Sequence, residues 1–341
     1  RKKKHSQFYL LNFQTYFFFF PTKIALVGEF SLTSVDLLRR GHHKIVLICG
    51  SGLKLHSNNL NVKKTEVLLR AMNFKGYKMD GLGNDFLIID QRIKPVSLSS
   101  EQIKNLAKRS NIGFDQLILI EPGQNSIHDI LFYNSDGGEA TACGNGSRCV
   151  AFLLMNERNV KTLSISTKGG VLNSFNNGNN NVTINMGEPI FDWKKIPLSE
   201  DMDCSNINID LENQGSFQGY GLSVGNPHII IFNDIEIEKL KTIGPMIEHY
   251  KYFPEKCNVT FAKVVDRKNI EITVWERGAG LTKACGTGAC ATAVAASLKK
   301  FTDRLVNIHF QTGQLTIDWK LDNRMYMSGP VSNIQIVDIN I

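Results

Sequence analysis

From residue 72 to the C-terminus, short apolar runs recur, several with the two-residue period of β-strands, separated by turn-rich stretches. This pattern predicts strands at Phe74–Met79, Phe86–Asp90, Gln116–Ile120, Asp129–Tyr133, Leu163–Thr167 and Val182–Met186. Further strands are expected at His228–Phe232, Asn269–Trp275, Val306–Phe310, Leu315–Trp319 and Ile334–Ile339. Helical spacing is rarer. The stretch "SSEQIKNLAKRS" predicts one helix, with Ser99 and Gln102 at the spacing of a capping box. A second is expected near Ile235–Tyr250, interrupted around Gly244 and Pro245. The asparagine-rich Asn176–Asn181 reads as a hairpin loop between strands.

Two more helices are expected at Ser147–Glu157 and Gly288–Lys299, and what precedes them is the main signal in the chain. "YNSDGGEATACGNGSRCVAFLL" and "ERGAGLTKACGTGACATAVAAS" share Ala-Cys-Gly-x-Gly when aligned on Cys143 and Cys285. Gly138 then matches Gly280, and Asn134 falls where Glu276 does. Each half of this region therefore reads as strands, a cysteine turn, a helix and more strands. That is an internal duplication. Packed about a pseudo-twofold axis, the halves would bring two helix N-termini together across a cleft, a common place for a small-molecule site.

Composition narrows the class. The chain has 341 residues, 42% apolar and 21% charged, enough for two ordinary domains. Its net charge of +7 is misleading, because residues 1–71 hold 12 Lys and Arg against 3 Asp and Glu, leaving the remainder near neutral. No basic stripe interleaved with aromatics marks the rest, which argues against nucleic acid as a partner. The apolar "FYLLNFQTYFFFFP" is broken by Asn12, Gln14 and Thr15 and falls short of the roughly 20 residues of a membrane span. Seven cysteines without a disulfide framework suit a reducing compartment, so a cytoplasmic protein is expected. Residues 1–71 are basic, Phe-rich and without sustained period. They read as a leader, disordered or non-native, and the location becomes a plastid if that leader is a transit peptide.

A thiol at a helix N-terminus sits in a positive partial field that favours the thiolate. The N–H groups of Gly144, Asn145, Gly286 and Thr287 could hold a carboxylate between two helix ends. Two sulfurs would then flank the neighbouring carbon from opposite faces. Removing a proton on one side and delivering one on the other inverts a stereocentre. Other readings fit less of the pattern. Neither Cys143 with Cys149 nor Cys285 with Cys290 has C-x2-C spacing, and no histidine stands beside them at ligand spacing, against zinc. Cys149, Cys290, Cys204 and Cys257 lack the glycine turn and read as buried small residues. A disulfide between Cys143 and Cys285 stays open on sequence alone, although a cytoplasmic protein would not keep it. Single-cysteine hydrolysis leaves the duplication idle. "GLGNDF" is no dinucleotide loop, because Phe86 stands where the third glycine should be.

In order along the chain, "GLGNDFLIID", "GFDQLILIEP", "YNSDGGEATACGNGSRC", "INMGEP", "GNPH", "ERGAG" and "ACGTGAC" resemble the diaminopimelate epimerase family over about 270 residues. The resemblance implies an α/β (α+β) fold of two pseudo-twofold-related domains, each a strand barrel around a central helix, with the active site in the cleft between them. It implies a cofactor-independent isomerase that interconverts LL- and meso-diaminopimelate, in lysine and peptidoglycan-precursor biosynthesis, with no metal. Carried over by motif, Cys143 and Cys285 are the acid–base pair, and Gly144, Asn145, Gly286 and Thr287 hold the reacting carboxylate. Asn84, Gln116, Asn134, Asn226, Asn258 and Arg277 match substrate-binding positions, where amides and a guanidinium suit a zwitterion. Glu276 and His228 match positions that orient the substrate amine and the sulfurs.

Asp80 departs from the family pattern, standing where many members have His. The nearest rival is a proline or hydroxyproline racemase, which pairs two cysteines but usually has Cys-Gly-His-Gly where Asn145 stands here. A phenazine-biosynthesis-like isomerase shares the architecture and lacks the cysteines. On this reading residues 1–71 are the leader, 72–185 with 330–341 form the Cys143 domain, and 186–329 form the Cys285 domain. A homodimer is compatible with the resemblance, and the expected partner is a small molecule.

Overall fold

The computed structural model describes residues 73–124, 127–140 and 143–340, and the expected leader lies outside them. The described chain opens with β1 (Asn73–Asp80), β2 (Asp85–Asp90), α1 (Ser100–Ala107), β3 (Gln116–Glu121) and β4 (His128–Asn134). It continues with β5 (Glu139–Ala140), α2 (Gly144–Arg158), β6 (Thr162–Thr167), β7 (Gly170–Gly178) and β8 (Asn181–Asn185). The second half holds β9 (Ile207–Leu211), β10 (Gly215–Ser223), β11 (Pro227–Ile231), α3 (Ile237–Glu248), β12 (Asn258–Asp266) and β13 (Asn269–Glu276). Then come β14 (Gly280–Thr282), α4 (Gly286–Leu298), β15 (Leu305–Phe310), β16 (Gly313–Trp319), β17 (Met325–Pro330) and β18 (Gln335–Asn340).

The duplication is written into the strand pairing. β2 pairs in parallel with β3 across α1, and β4 with β6 across α2. In the second half β11 pairs in parallel with β12 across α3, and β13 with β15 across α4. The antiparallel neighbours match as well: β1–β2 with β10–β11, β3–β4 with β12–β13, and β4–β5 with β13–β14. Even the end strands correspond, since β18 returns to pair with β1 as β9 pairs with β10. The ladder does not stop between the halves. β8 pairs antiparallel with β17, so the strands form one hydrogen-bonded system.

Each half wraps its sheet around one helix. α2 is buried from Asn145 to Met155 and α4 from Gly288 to Ala296, so neither has a solvent face. A helix buried all round belongs at the centre of a core. α4 manages this with alanines, which let strands approach closely, and it packs with Leu222, Ile230, Val274, Ile308 and Met327. α2 packs with Phe86, Ile118, Phe132, Ile165 and Ile184. α1 and α3 are the outer helices, burying Ile103 and Leu106 in one case and Leu240, Ile243 and Ile247 in the other.

Several local expectations need adjustment. The Ser99 capping box is present, and the asparagine loop is a two-residue turn with Asn179 and Asn180 at positive φ. The central helices begin three and two residues earlier than expected, because their cysteine N-caps are not the usual capping residues. α3 runs through Pro245 without interruption. The carbonyl that a proline leaves unbonded, four residues back, belongs to Lys241, an exposed residue. Strands β5, β7, β9, β10, β12, β14 and β17 lie outside the pattern-based set.

Candidate active site

Both cysteines adopt extended backbone (φ −143° and −129°) and serve as the N-caps of the central helices. The Gly146 N–H donates to Cys143 Sγ at 3.4 Å, whereas Cys285 has no such cap bond. Glycine is needed directly after each. A Cβ on Gly144 would lie 2.9 Å from Met327 Cε, and one on Gly286 would lie 2.9 Å from Met327 Sδ. Met327 of β17 therefore rests against both first turns. The turns also approach each other, since a Cβ at Gly286 would sit 3.7 Å from Asn145 Oδ1. Helix N-termini leave their first N–H groups without intrahelical partners, so two such sets converge here.

The strand register brings the remaining polar residues to the same level. Gln116 lies opposite Phe86 and Asn134, and Asn258 lies opposite His228. Around the cysteine turns and their neighbouring strands, first-half residues have their counterparts 142 positions later (285 minus 143 for the cysteines). Asn84 thus corresponds to Asn226, Gln116 to Asn258, and Asn134 to Glu276. Around Cys143, the Sγ lies 3.9 Å from Asn84 Oδ1, and Asn84 Nδ2 donates to Asp115 at 3.1 Å. Gln116 Nε2 donates to Asn134 Oδ1 at 3.0 Å. Around Cys285, the Sγ donates to Glu276 Oε2 at 3.1 Å and lies 3.5 Å from Thr287 Oγ1. Thr287 accepts from Asn226 Nδ2 at 3.3 Å, and Asn226 Oδ1 accepts from His228 Nε2 at 3.0 Å.

The electrostatics correct one expectation. The helix ends do not bring the thiols below their ordinary range, because burial outweighs them. Burial pushes Cys143 up to about 11, opposed by the Gly146 N–H and by Arg148, and reinforced by the Glu276 carboxylate. Cys285 is pushed well above its usual value by burial and then by adjacent Glu276. Burial also raises the Glu276 carboxyl, while Thr282 and Cys285 donate to it and hold it down. His228 is fully buried and is lowered to about 3, first by burial and then by Arg277, so it is a neutral ring that fixes Asn226.

The fold brings Asn84 to Cys143, and Glu276, Thr287, Asn226 and His228 to Cys285. Gln116 and Asn134 bond to each other, and no hydrogen bond links them to a sulfur. Asn258 is spent partly on the main chain, donating to the Pro227 carbonyl at 2.9 Å and accepting from the Arg277 N–H at 3.0 Å. The Arg277 side chain bonds the Glu255 carbonyl at 3.1 Å. Sequence reasoning missed four neighbours. Asp115 holds Asn84, and Thr282 holds Glu276. Glu248 accepts from Trp275 Nε1 at 2.7 Å and from the Gly278 N–H at 3.0 Å, bracketing Glu276 and Arg277. Arg148 of α2 is fully buried, and its signal was available as the one charge within the helix's buried stretch from Asn145 to Met155.

Comparison with known proteins agrees with this arrangement. The family model described as diaminopimelate epimerase matches residues 76–191 and 220–334. A diaminopimelate epimerase from Pelagibacter ubique is 48% identical over 274 residues, covering 79% of this chain and all of that protein. Among solved structures, a phenazine biosynthesis protein of the PhzF family from Bacillus anthracis superposes with a TM-score of 0.56 at 15% identity, over 79% of this chain and 100% of that one. A hydroxyproline epimerase from Agrobacterium vitis also gives 0.56, at 11% identity, over 79% and 93%. At such identities these two establish the shared two-domain fold alone. The sequence match, which spans both cysteine turns, establishes that the chain belongs to the diaminopimelate epimerase family and is an isomerase of the epimerase type.

Proposed function

We propose that the chain interconverts LL-2,6-diaminopimelate and meso-2,6-diaminopimelate without a cofactor, with Cys143 and Cys285 as its two acid–base groups. The observation that carries this reading is the pair of register-equivalent cysteines capping two central helices that meet. The reacting carboxylate lies against the N–H groups of Gly144, Asn145, Gly286 and Thr287. One sulfur, as thiolate, takes the α-proton, and the other, as thiol, delivers a proton to the opposite face. The roles exchange with reaction direction. An amino-acid α-carbon is a very weak acid, so the developing negative charge must meet donors fixed in advance and shielded from water. The N–H groups of two helix ends supply such donors.

The distal amino-acid group is held by Asn84, Gln116, Asn134, Asn226, Asn258 and Arg277, with Asn258 using its second amide hydrogen and its remaining lone pair. Glu276 orients the Cys285 sulfur and the substrate amine, and His228 acts through Asn226. The reading places the enzyme in lysine and peptidoglycan-precursor biosynthesis, in the cytoplasm. Its division into 72–185 with 330–341 and 186–329 is supported by the return of β18 to β1. No helix among the described residues is long and apolar enough to cross a membrane.

The test is α-proton exchange in deuterated water with LL-diaminopimelate and with L-proline. Deuterium should enter diaminopimelate as the meso form appears, and proline should stay protonated. Exchange into proline alone would overturn the substrate assignment in favour of a proline-type racemase.

A further inference from the structure

Arg148 is the largest fully buried side chain in the described protein, with no exposed surface. It stands on α2, five residues after the Cys143 cap, on a helix otherwise packed with apolar side chains. A buried guanidinium normally faces a carboxylate, because an unpaired buried charge is costly. Among the described residues, no Asp or Glu lies within ion-pair distance of Arg148. Its Nη1 donates to Met327 Sδ at 3.7 Å, while Nε and Nη2 have no hydrogen-bond partner among the described residues. The space is made for it: a Cβ on Gly329 would stand 3.2 Å from the guanidinium carbon. This is a positive charge built into the core with its counter-charge left out.

We propose that Arg148 is a positioning residue whose guanidinium is the fixed counter-charge for the thiolate of Cys143. The inference rests on the two-thiol reading given above. Among the charged and titratable groups around Arg148, only Cys143 and Asp80 are candidates for its anion. Those groups are Cys143 and Cys149 of its own helix, Cys290 of α4 and Asp80 of β1. All three thiols are raised by burial, but of the three only Cys143 has, among the described residues, a backbone donor on its sulfur, the Gly146 N–H at 3.4 Å, which favours its thiolate over those of Cys149 and Cys290. Asp80 already accepts the Gly83 N–H at 2.9 Å. Cys143 faces Arg148 and Cys149 from α2, and Glu276 from β13. Glu276 opposes a thiolate there and Arg148 favours it. Burial lowers Arg148 from the ordinary arginine value, but that value is so high that the guanidinium stays charged in the working range and adds no proton of its own to the site. Asp80 acts on it only from beyond ion-pair distance, so no carboxylate among the described residues pairs with it directly. Met327, which touches Arg148, also rests on both cysteine turns, so the cation is anchored against the apparatus it serves.

The experiment is alkylation by iodoacetamide from pH 6 upward, read separately at Cys143 and Cys285 by peptide mass spectrometry, on the full chain. It needs no turnover, so it stays informative if the substrate assignment fails. In the wild type the Cys143 reactivity midpoint should lie below that of Cys285. Arg148→Met, which keeps the bulk and removes the charge, should move the Cys143 midpoint upward by about one to three pH units, a loss of roughly tenfold in rate per unit below it. Arg148→Lys should recover most of the shift. A folded Arg148→Met protein with an unmoved Cys143 midpoint would overturn the proposal. So would a wild-type Cys143 midpoint at or above that of Cys285, a measurement that stands even if the methionine variant does not fold.

Discussion

Cys285 and Glu276, 3.1 Å apart, share one proton between a thiol and a carboxylate, and burial makes a second negative charge there expensive. Burial is the main cause that raises both thiols, and the same carboxylate adds to it at Cys143 across the site, so Glu276 pushes both sulfurs in the same direction. Glu276→Gln removes that charge and leaves an amide oxygen in its place. Its effect on the thiols has a definite sign. Each reactivity midpoint should move to lower pH, because an opposing negative charge is gone, while epimerisation falls by about 10²-fold or more as the sulfur and the substrate amine lose their orientation. Thiol alkylation against pH and turnover of LL-diaminopimelate measure the two halves of this expectation. Midpoints that stay in place would show that the carboxylate does not set them. The cost of asymmetry is visible in the equivalent position, where Asn134 carries no charge.

At the scale of elements, the candidate site depends on an outer helix with no hydrogen bond to Cys143 or Cys285. Glu248, near the end of α3, holds Trp275 on one side of the Glu276–Arg277 pair and Gly278 on the other. Glu248→Leu fills the space but removes the acceptor of two part-buried donors, at a cost of at most about 1–3 kcal/mol each. The melting temperature should fall, and KM should rise together with a drop in kcat as the turn loosens. Glu248→Gln keeps one acceptor and should lie between. Unchanged kinetics in a destabilised leucine variant would assign Glu248 to stability alone. Such a contact is invisible in a linear pattern, because it joins residues about 30 positions apart through a helix that otherwise reads as ordinary. The cysteine turns were legible because their chemistry is local and repeated. Elements were legible where alternation was clean. β10 was hidden by glycines that the fold requires, since a Cβ at Gly219 would lie 2.5 Å from Ile229. β12 is buried over five successive residues and shows no alternation there. β9 alternates well, but its Asn and Asp residues weigh against a strand.

For the whole molecule, residues 72–341 form one compact unit, and its last strand belongs to its beginning. β18 covers the edge of β1 and inserts Ile339, fully buried with Leu87, Leu117 and Ile103. Removing residues 335–341 would uncover that edge and withdraw a buried isoleucine worth roughly 1.5–3 kcal/mol, beyond the ladder bonds lost. Such a chain should be strongly destabilised and prone to aggregate. Removing residues 1–71 should leave the melting temperature and turnover nearly unchanged. Calorimetry and activity on the two truncated proteins make the comparison, and a shortened N-terminus that abolishes folding would move the domain boundary upstream of residue 72.

The seam between β8 and β17 has a mechanical meaning. Two lobes joined only by loops can swing apart like covers on a binding, but these are joined by a run of main-chain bonds from Asn181–Pro330 to Asn185–Tyr326. Separation in the hinged sense would have to tear that run, so the low-energy deformation is a twist of the shared sheet. Met327 sits within the seam opposite Ile184, and its side chain bears on both cysteine turns. Torsion at this one point would therefore reach both helix ends at once, so that on the two-thiol reading proposed above the sulfurs would move as a coupled pair of jaws.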